Sequence, residues 1–199
     1  MLTKANVVVF DFDGTLSARD ANMEFGKYCF RHSVRPWLFL PLVALAGMAS
    51  LFNPGGIWWR QAMRRFLTPD MVKKLAPAFI KEHKMERFGW SKDQVAAERA
   101  AGNKVILISA GPDYLIPFLV SDIKFDSVIC SIMDKEKPWK YKFFCWGRHK
   151  VNAMDEWAKR DKFIPRLVKS YSDSKSDLPL MELAGEQIWI DSKTGMRKD

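Results

Sequence analysis

Two aspartates, two positions apart, directly follow an apolar run near the start of the chain. Residues 7–10 read Val-Val-Val-Phe, and Asp11-Phe-Asp13-Gly-Thr15 comes next. An unbroken apolar run of this kind is typical of a strand that is buried on both faces, as in a parallel sheet. Where such a strand ends in a Gly-containing turn, both carboxylates can share one site, in which one attacks and the other moves protons. The chain therefore needs a fold that buries this strand and opens a site at its carboxyl end.

Four further apolar runs predict strands, and helical patterns separate them. The runs are residues 104–108, 126–130, 167–171 and 187–190. Ser91 and Gln94 have the spacing of a capping box, Thr68-Pro69 is a helix start signal, and residues 151–159 and 178–183 have helical patterns. Strands that alternate with helices predict a three-layer α/β fold with a Rossmann-like parallel sheet. Catalytic groups are then expected at the carboxyl ends of the strands.

A mostly helical stretch, residues 21–90, interrupts this alternation after the first strand. We interpret it as an inserted cap, with residues 1–20 and 91–199 forming the core. Residues 36–59 carry no charged side chain, and residues 37–52 are the most apolar part. A membrane span needs about 20 apolar residues, so this segment is marginal as a span. Its aromatic and basic flanks fit contact with a membrane surface, and a buried cap helix or a helical hairpin is the alternative.

The charge balance favours anionic partners. The 199 residues include 32 Lys and Arg against 23 Asp and Glu, a formal net charge of +9. We expect a phosphorylated small molecule or an acidic lipid surface as partner. No nucleic acid is expected, because the sequence has no recognised nucleic-acid motif.

The cysteines and the N-terminus predict the compartment. Three cysteines without Cys-x-x-Cys spacing argue against a disulfide framework or a zinc site, and indicate reduced thiols. The first residues lack the layout of a secretory signal peptide. These features predict a cytoplasmic protein, either free or at the inner face of the membrane.

Three later segments complete a set of motifs. They are Ser109-Ala110-Gly111 after the second predicted strand, Lys150 in Cys-Trp-Gly-Arg-His-Lys, and Ser172-Asp173-Ser-Lys-Ser-Asp177 after the fourth. Together with Asp11 and Asp13, in this order, they resemble the four motifs of the haloacid dehalogenase-like (HAD) phosphatases, and within them the phosphoserine phosphatase-like subclass. The motifs run from Asp11 to Asp177, so the resemblance covers most of the chain.

The resemblance implies a magnesium-dependent phosphomonoester hydrolase that works through a phosphoaspartyl intermediate. Asp11 is then the nucleophile, and Asp13 is the acid that protonates the leaving alcohol and the base that activates water. Mg²⁺ would be bound by Asp11, the backbone carbonyl of Asp13 and Asp173, with Asp177 nearby. The Thr15 hydroxyl steadies the loop or bonds Asp13. The groups expected to hold the phosphoryl oxygens are Thr15, Ser109, Ala110, Gly111 and Lys150.

A second likeness is to the bacterial phosphatidylglycerophosphatase C group. It rests on Asp11-Phe-Asp-Gly-Thr-Leu with Asp20, the apolar cap segment, Trp58-Trp-Arg60 and Tyr171-Ser-Asp-Ser-x-x-Asp-x-Pro-Leu. This likeness implies a lipid or amphiphilic phosphate, such as phosphatidylglycerophosphate, as substrate, with Asp20 and Arg60 as specificity residues. Phosphoserine phosphatases carry Glu at the position of Asp20, which disfavours phosphoserine. A soluble small-metabolite phosphatase is the alternative, and a non-catalytic HAD-fold binding protein is a remote one.

Specificity in such a fold is expected to come from the cap. Arg60, Arg64 and Arg65 fall at helical spacing. They either bind an anionic headgroup or form an exposed helix face, and the sequence leaves both alternatives open.

Overall fold

A six-stranded sheet forms the centre of the molecule. The computed structural model describes residues 2–52, 56–82 and 87–198. The strand order is β4-β3-β2-β1-β5-β6, with β4 antiparallel to β3 and all other neighbours parallel. The predicted α/β fold with a Rossmann-like sheet is thereby confirmed. The strands are β1 (Thr3–Phe10), β2 (Lys104–Pro112), β3 (Ser127–Met133), β4 (Tyr141–Phe143), β5 (Phe163–Ser172) and β6 (Glu186–Trp189).

Helices cover both faces of this sheet. Alternate residues of β1 belong to different cores, as the two-residue period of a strand requires. Val8 packs in one core with helix residue Val95, and Val7 packs in the other with helix residue Met154. The arrangement therefore has three layers. In the described residues the helices are α1 (Ala21–His32), α2 (Arg35–Leu38), α3 (Leu40–Phe52), α4 (Ile57–Met63), α5 (Pro69–Glu82), α6 (Ser91–Ala100), α7 (Ile116–Leu119), α8 (Arg148–Arg160) and α9 (Leu178–Met181), with a 3₁₀ turn at Lys175–Asp177.

Two local features differ from the sequence prediction, and a third agrees with it. β4 was not predicted, because it has only three residues and is defined by pairing with β3. The capping box is wrong: the cap residue of α6 is Trp90, which makes no capping hydrogen bond through its side chain. The Gln94 amide instead donates to Glu98 and Tyr171. At α5 the start signal is confirmed, since the Met71 N–H donates to the Thr68 hydroxyl at 3.2 Å.

The cap helices are inserted between β1 and α6. Five described helices, α1 to α5, lie in this part of the chain. A short stem returns to the core, where Ser17 and Arg87 form a β-bridge and the Phe88 N–H donates to the Leu16 carbonyl at 3.0 Å. The Phe25 ring of α1 lies 5.8 Å from the Tyr114 ring of the core, so cap and core pack together. The division into residues 21–90 and the two flanking core segments stays a prediction.

The most apolar stretch, residues 37–52, is largely exposed. Its main element, α3, has 13 residues, which gives a length of about 20 Å. None of the described helices has the length and apolar character needed to cross a bilayer. Of the side chains described along α3, Ala46 is buried, whereas Leu51 and Phe52 are 81% and 90% exposed. The buried-helix alternative is therefore wrong, and α3 instead packs against α4 as half of a helical pair.

A buried carboxylate ties α6 to the sheet. Glu98 is 3% exposed, and its carboxylate accepts from Lys169 of β5 at 2.6 Å and from the Tyr171 hydroxyl at 3.2 Å. Asn103, just before β2, donates to the same carboxylate at 2.9 Å. Burial alone would raise the pKa of Glu98, but the hydrogen bonds and the Lys169 charge hold it below its ordinary value. The ionised form therefore stabilises the fold.

Glu98→Gln should lower the free energy of unfolding by about 1–3 kcal/mol at pH 7, because charged hydrogen bonds are lost. A carboxylate whose pKa is lower in the folded protein than in the unfolded chain stabilises the fold at pH values above the unfolded pKa. This stabilisation is lost as the pH falls through the pKa of the folded protein. The difference between the two proteins should therefore shrink by pH 3. Urea unfolding at both pH values measures it. Glu156→Gln is the control, since both side chains of its ion pair with Lys159 are 72% exposed and solvent screens the pair, so that the substitution should leave the free energy of unfolding nearly unchanged. Equal effects of both substitutions would contradict the assigned role of Glu98.

Candidate active site

The loop after β1 brings Asp11 to the carboxyl edge of the sheet. The Asp11 N–H still donates to the Tyr171 carbonyl of β5 at 3.0 Å, and the chain then turns. Gly14 has a φ of +78°, a left-handed conformation that favours glycine. A Cβ at this position would overlap the Asp173 carboxylate. The loops after β1 and β5 are therefore packed against each other at the predicted site.

Lys150 joins two of the predicted carboxylates. Its ammonium donates to Asp11 at 2.9 Å and to Asp177 at 2.7 Å, and the side chain is 2% exposed. The Ser172 hydroxyl donates to the same Asp177 oxygen at 2.8 Å. Burial opposes the charge on Lys150, but the two carboxylates outweigh it and raise the pKa of the ammonium. Lys150 is therefore a buried, charged residue held between β1 and the loop after β5.

The two aspartates of the first motif have raised pKa values. Burial raises the pKa of Asp11 to about 7, against the opposing effect of Lys150. Burial is also the main cause that raises the pKa of Asp13 well above its ordinary range, and the nearby charge of Asp20 adds to it. The Asp13 carboxylate accepts from the Ala21 N–H, at the start of α1, at 2.7 Å. A carboxyl group with a raised pKa is better suited to act as an acid than one with an ordinary pKa.

Within the described residues, the Thr15 hydroxyl forms hydrogen bonds with Asp173 and none with Asp13. Its hydroxyl donates to the Asp173 carboxylate at 3.4 Å and accepts from the Asp173 N–H at 3.0 Å. Of the two predicted alternatives for this hydroxyl, the structure thus favours the one in which it steadies the loop. The Thr15 side chain is fully buried. Its contact with phosphate stays a prediction.

The Ser109-Ala110-Gly111 segment lies within the end of β2, where the register with β3 is interrupted after Ile108. The Ser109 hydroxyl accepts from the Gly111 N–H at 2.9 Å. A side chain at Gly111 would meet Ile116, so the site favours glycine. This break in pairing turns the backbone of the segment away from regular strand geometry.

Sequence reasoning missed Ser131. Its buried hydroxyl donates to the Ala110 carbonyl at 2.8 Å and accepts from the Cys145 N–H at 3.0 Å. It thereby connects the second motif to the loop that leads to Lys150. A serine within the apolar run Val-Ile-Cys-Ser-Ile was the only available signal, and buried hydroxyls need partners.

The donor groups at the site suit a hard cation. Four carboxylates, Asp11, Asp13, Asp173 and Asp177, lie in electrostatic contact around the ammonium of Lys150. The oxygen-only donor set and the excess negative charge fit Mg²⁺. Within the described part of the chain, no three His, Cys, Asp or Glu side chains are grouped to hold a metal. The predicted set remains compatible with this finding, because it uses two side chains and a backbone carbonyl.

The two predicted specificity residues lie together in the cap. Asp20 caps α1, where its carboxylate accepts from the Met23 N–H at 2.9 Å. Asp20 and Arg60 both line a cavity of about 500 Å³. Burial lowers the pKa of Arg60, and the nearby Asp20 charge opposes this effect.

A mostly parallel α/β sheet with two carboxylates just after its central strand is typical of a Rossmann-like enzyme. The family follows from comparison with known proteins. The chain belongs to the haloacid dehalogenase-like hydrolases, whose family model matches residues 8–182. The prediction of an enzyme is thereby confirmed.

Individual relatives are distant. A probable phosphatase of Mycobacterium tuberculosis strain H37Rv is 25% identical over 96% of this chain and 70% of its own length. A Bordetella pertussis protein of unknown function has a TM-score of 0.79 at 17% identity, covering 94% of this chain and 91% of its own. A substrate-bound phosphoserine phosphatase has a TM-score of 0.67 at 14% identity, covering 94% and 87%. The structural similarities support the fold.

Lys150→Met should lower the free energy of unfolding by about 3–5 kcal/mol at pH 7, because it leaves Asp11 and Asp177 buried without a cation. Urea unfolding measures the change. Lys142→Met is the matched control, since that ammonium is 58% exposed and lies 3.9 Å from Asp134. A loss below 1 kcal/mol in Lys150→Met would contradict a structural role for the buried pair.

Proposed function

We propose that this protein is a magnesium-dependent phosphomonoester hydrolase that forms a phosphoaspartyl intermediate on Asp11. The observation that carries the proposal is the contact of the buried Asp11 with Lys150 at 2.9 Å, two residues before a second carboxyl group, Asp13, whose pKa burial raises. A phosphoryl group needs a nucleophile, an acid and a source of positive charge, and these three residues supply them. The family and the M. tuberculosis relative support the same class of reaction.

The reaction takes place in two displacements. In the first, an Asp11 oxygen bonds to phosphorus, the bond from phosphorus to the leaving oxygen breaks, and Asp13 gives its proton to that oxygen. In the second, Asp13 takes a proton from water, the water oxygen bonds to phosphorus, and the bond to Asp11 breaks to release phosphate. Lys150 orients Asp11 and neutralises charge on the transferred group.

Magnesium fits this scheme through Asp11, the Asp13 carbonyl and Asp173. When bound, the cation would neutralise the phosphoryl oxygens and so reduce the repulsion between the negatively charged phosphate group of the substrate and the aspartates. The remaining predicted contacts with phosphoryl oxygens are those of Thr15, Ser109, Ala110, Gly111 and Lys150.

Asp11→Asn should reduce magnesium-dependent phosphate release to background, and Asp13→Asn should reduce kcat by about 10²–10⁴-fold, because the acid is lost. Phosphate release from phosphatidylglycerophosphate micelles and from phosphoserine, with Mg²⁺ or with EDTA, measures both. Asp93→Asn is the control, since Asp93 is exposed on α6. Full activity in Asp11→Asn would overturn the mechanism, and full activity in EDTA would overturn the metal requirement.

For the substrate we propose a lipid or amphiphilic phosphate, such as phosphatidylglycerophosphate. Two observations favour it over a small metabolite. The cap cavity has mainly apolar walls with positive charges among them. The adjoining helix pair α3 and α4 exposes Leu51, Phe52 and Trp58, the last at 86%. Large exposed apolar patches mark surfaces that bind a partner or a membrane.

The α3–α4 pair would then contact an anionic membrane, at its inner face in a cytoplasmic protein. α3 is too short to span a bilayer, but apolar side chains on a basic protein suit binding in the interface. The net charge of +9 would add a salt-dependent attraction to acidic lipids. A soluble metabolite phosphatase is the alternative, and hydrolysis of phosphoserine alone would favour it.

Replacement of Leu51, Phe52 and Trp58 by Ser should weaken binding to vesicles of phosphatidylglycerol by at least about tenfold, since each exposed side chain loses apolar burial in the interface. Vesicle co-sedimentation measures binding. Phe118→Ser is the control, because Phe118 is 56% exposed on α7 of the core. Absence of vesicle binding by the unmodified protein, or equal loss in Phe118→Ser, would contradict membrane contact through the cap.

A further inference from the structure

The hairpin formed by β3, β4 and the turn between them lies at the edge of the sheet that carries the candidate active site. β3 is parallel to β2, and β2 is parallel to β1, so the loops after β1 and β3 leave the sheet at the same edge. The loop after β1 carries Asp11, and the cap helices follow it in the chain. The turn of the β3–β4 hairpin, residues 134–140, therefore lies on the same side of the core as Asp11 and the cap.

This hairpin exposes a cluster of lysines. Residues 134–142 contain four lysines against one aspartate and one glutamate, and all four lysines are exposed. Within the described part of the chain, Lys142 is the one member of the cluster with an ion pair, 3.9 Å from Asp134. The other three, Lys135, Lys137 and Lys140, form no ion pair with a described carboxylate.

Exposed lysines on the helices show a contrasting arrangement. Lys27 of α1 lies 2.7 Å from the carboxylate of Glu24, and Lys159 of α8 lies 2.8 Å from that of Glu156. In these pairs the nearby carboxylate cancels most of the field of the ammonium. The hairpin lysines lack such partners among the described residues, so they create a positive potential at this edge, which attracts anions.

The backbone that carries the lysines is held in one conformation. The Asp134 carboxylate accepts from the N–H groups of Glu136 and Lys137, each at 2.9 Å. The Lys140 N–H donates to the Lys137 carbonyl at 2.7 Å, and Pro138 between them is buried. Because the turn is already ordered, binding through its lysines costs little backbone entropy.

The hairpin adjoins the exposed apolar side chains of the cap. Tyr141 of β4 and Trp59 of α4 line the same cavity. The Arg65 guanidinium, just after α4, stacks on the Trp139 ring at 3.7 Å. A basic surface on the core thus lies next to the apolar surface of the α3–α4 pair, a combination that suits binding in the interface of an acidic bilayer.

We propose that the β3–β4 hairpin is an electrostatic attachment site for the acidic headgroups of a membrane. This inference rests on the proposed function and names its partner more closely: a bilayer surface that contains anionic phospholipid. The core would bind it through lysines and the cap through apolar side chains, and the two contacts together orient the edge with Asp11 toward the headgroups. The apolar neighbours favour a bilayer over a nucleic acid, whose phosphate backbone offers them no apolar phase.

The test replaces Lys135, Lys137 and Lys140 together by Gln. Near an acidic bilayer each lysine strengthens binding about fivefold, so the triple variant should bind at least about tenfold more weakly. Co-sedimentation with vesicles of phosphatidylglycerol and phosphatidylcholine at about 0.1 M NaCl measures this. The difference should disappear at about 1 M NaCl, where the charges are screened. Replacement of the same lysines by Arg keeps the charge and should change binding less than about twofold.

The matched control removes three lysines from the opposite edge of the sheet. Lys4 lies near the start of β1, Lys159 near the end of α8 and Lys162 just before β5, and all three are exposed. Their replacement by Gln lowers the net charge by the same amount. It should weaken vesicle binding less than about twofold, because these side chains face away from the proposed contact.

Each outcome decides the inference. A loss in the hairpin Gln variant that exceeds the loss in both the Arg variant and the control supports it. No loss, a loss as large in the Arg variant, or a loss as large in the control overturns it and leaves the proposed function standing. A loss confined to binding of duplex DNA, measured in parallel, overturns it in favour of a nucleic acid. Absence of vesicle binding by the unmodified protein also overturns it, whereas phosphate release, measured separately, decides the proposed reaction.

Discussion

The contact of Lys150 with Asp11 and Asp177 is the interaction on which the site depends. It joins the end of β1, the first turn of α8 and the loop after β5, three segments that are far apart in sequence. All three side chains are removed from water, so each charge is tolerated only because the others are present. The geometry of the loops that carry these residues is therefore constrained by electrostatics as much as by packing.

Smaller residues adjust the loops to this constraint. Gly14 allows the first loop to approach Asp173 without a side chain in between. The Ser172 hydroxyl donates to the Asp177 carboxylate, and Lys150 donates to the same oxygen. Ser131 connects the second motif to the loop before α8. The two serines therefore support the charged centre through side-chain hydrogen bonds, whereas Gly14 supports it by leaving space for Asp173.

The sequence predicted the parts of the fold that depend on local patterns. The strands β1 and β2 were evident because burial on both faces requires an unbroken apolar run. β4 was missed because three residues carry no pattern, and its pairing with β3 is a tertiary effect. The capping box failed because Gln94 is recruited by the buried Glu98. The motif positions of Asp11 and Lys150 could be predicted, but the bonds of Ser131 and the orientation of Arg64 depend on residues distant in sequence.

Core and cap use positive charge in opposite ways. In the core, Lys150 is matched by the carboxylates of Asp11 and Asp177, so its charge organises the site. In the cap, Arg64 is held by a carbonyl, an amide and an aromatic ring, none of which neutralises it. Among the described residues, no carboxylate forms an ion pair with it, and its Nη2 is buried without a hydrogen-bond partner. Under the proposed function, the core would supply the chemistry common to phosphomonoesters, and the cap cavity, with its apolar and charged lining, would contact the alcohol part of the substrate.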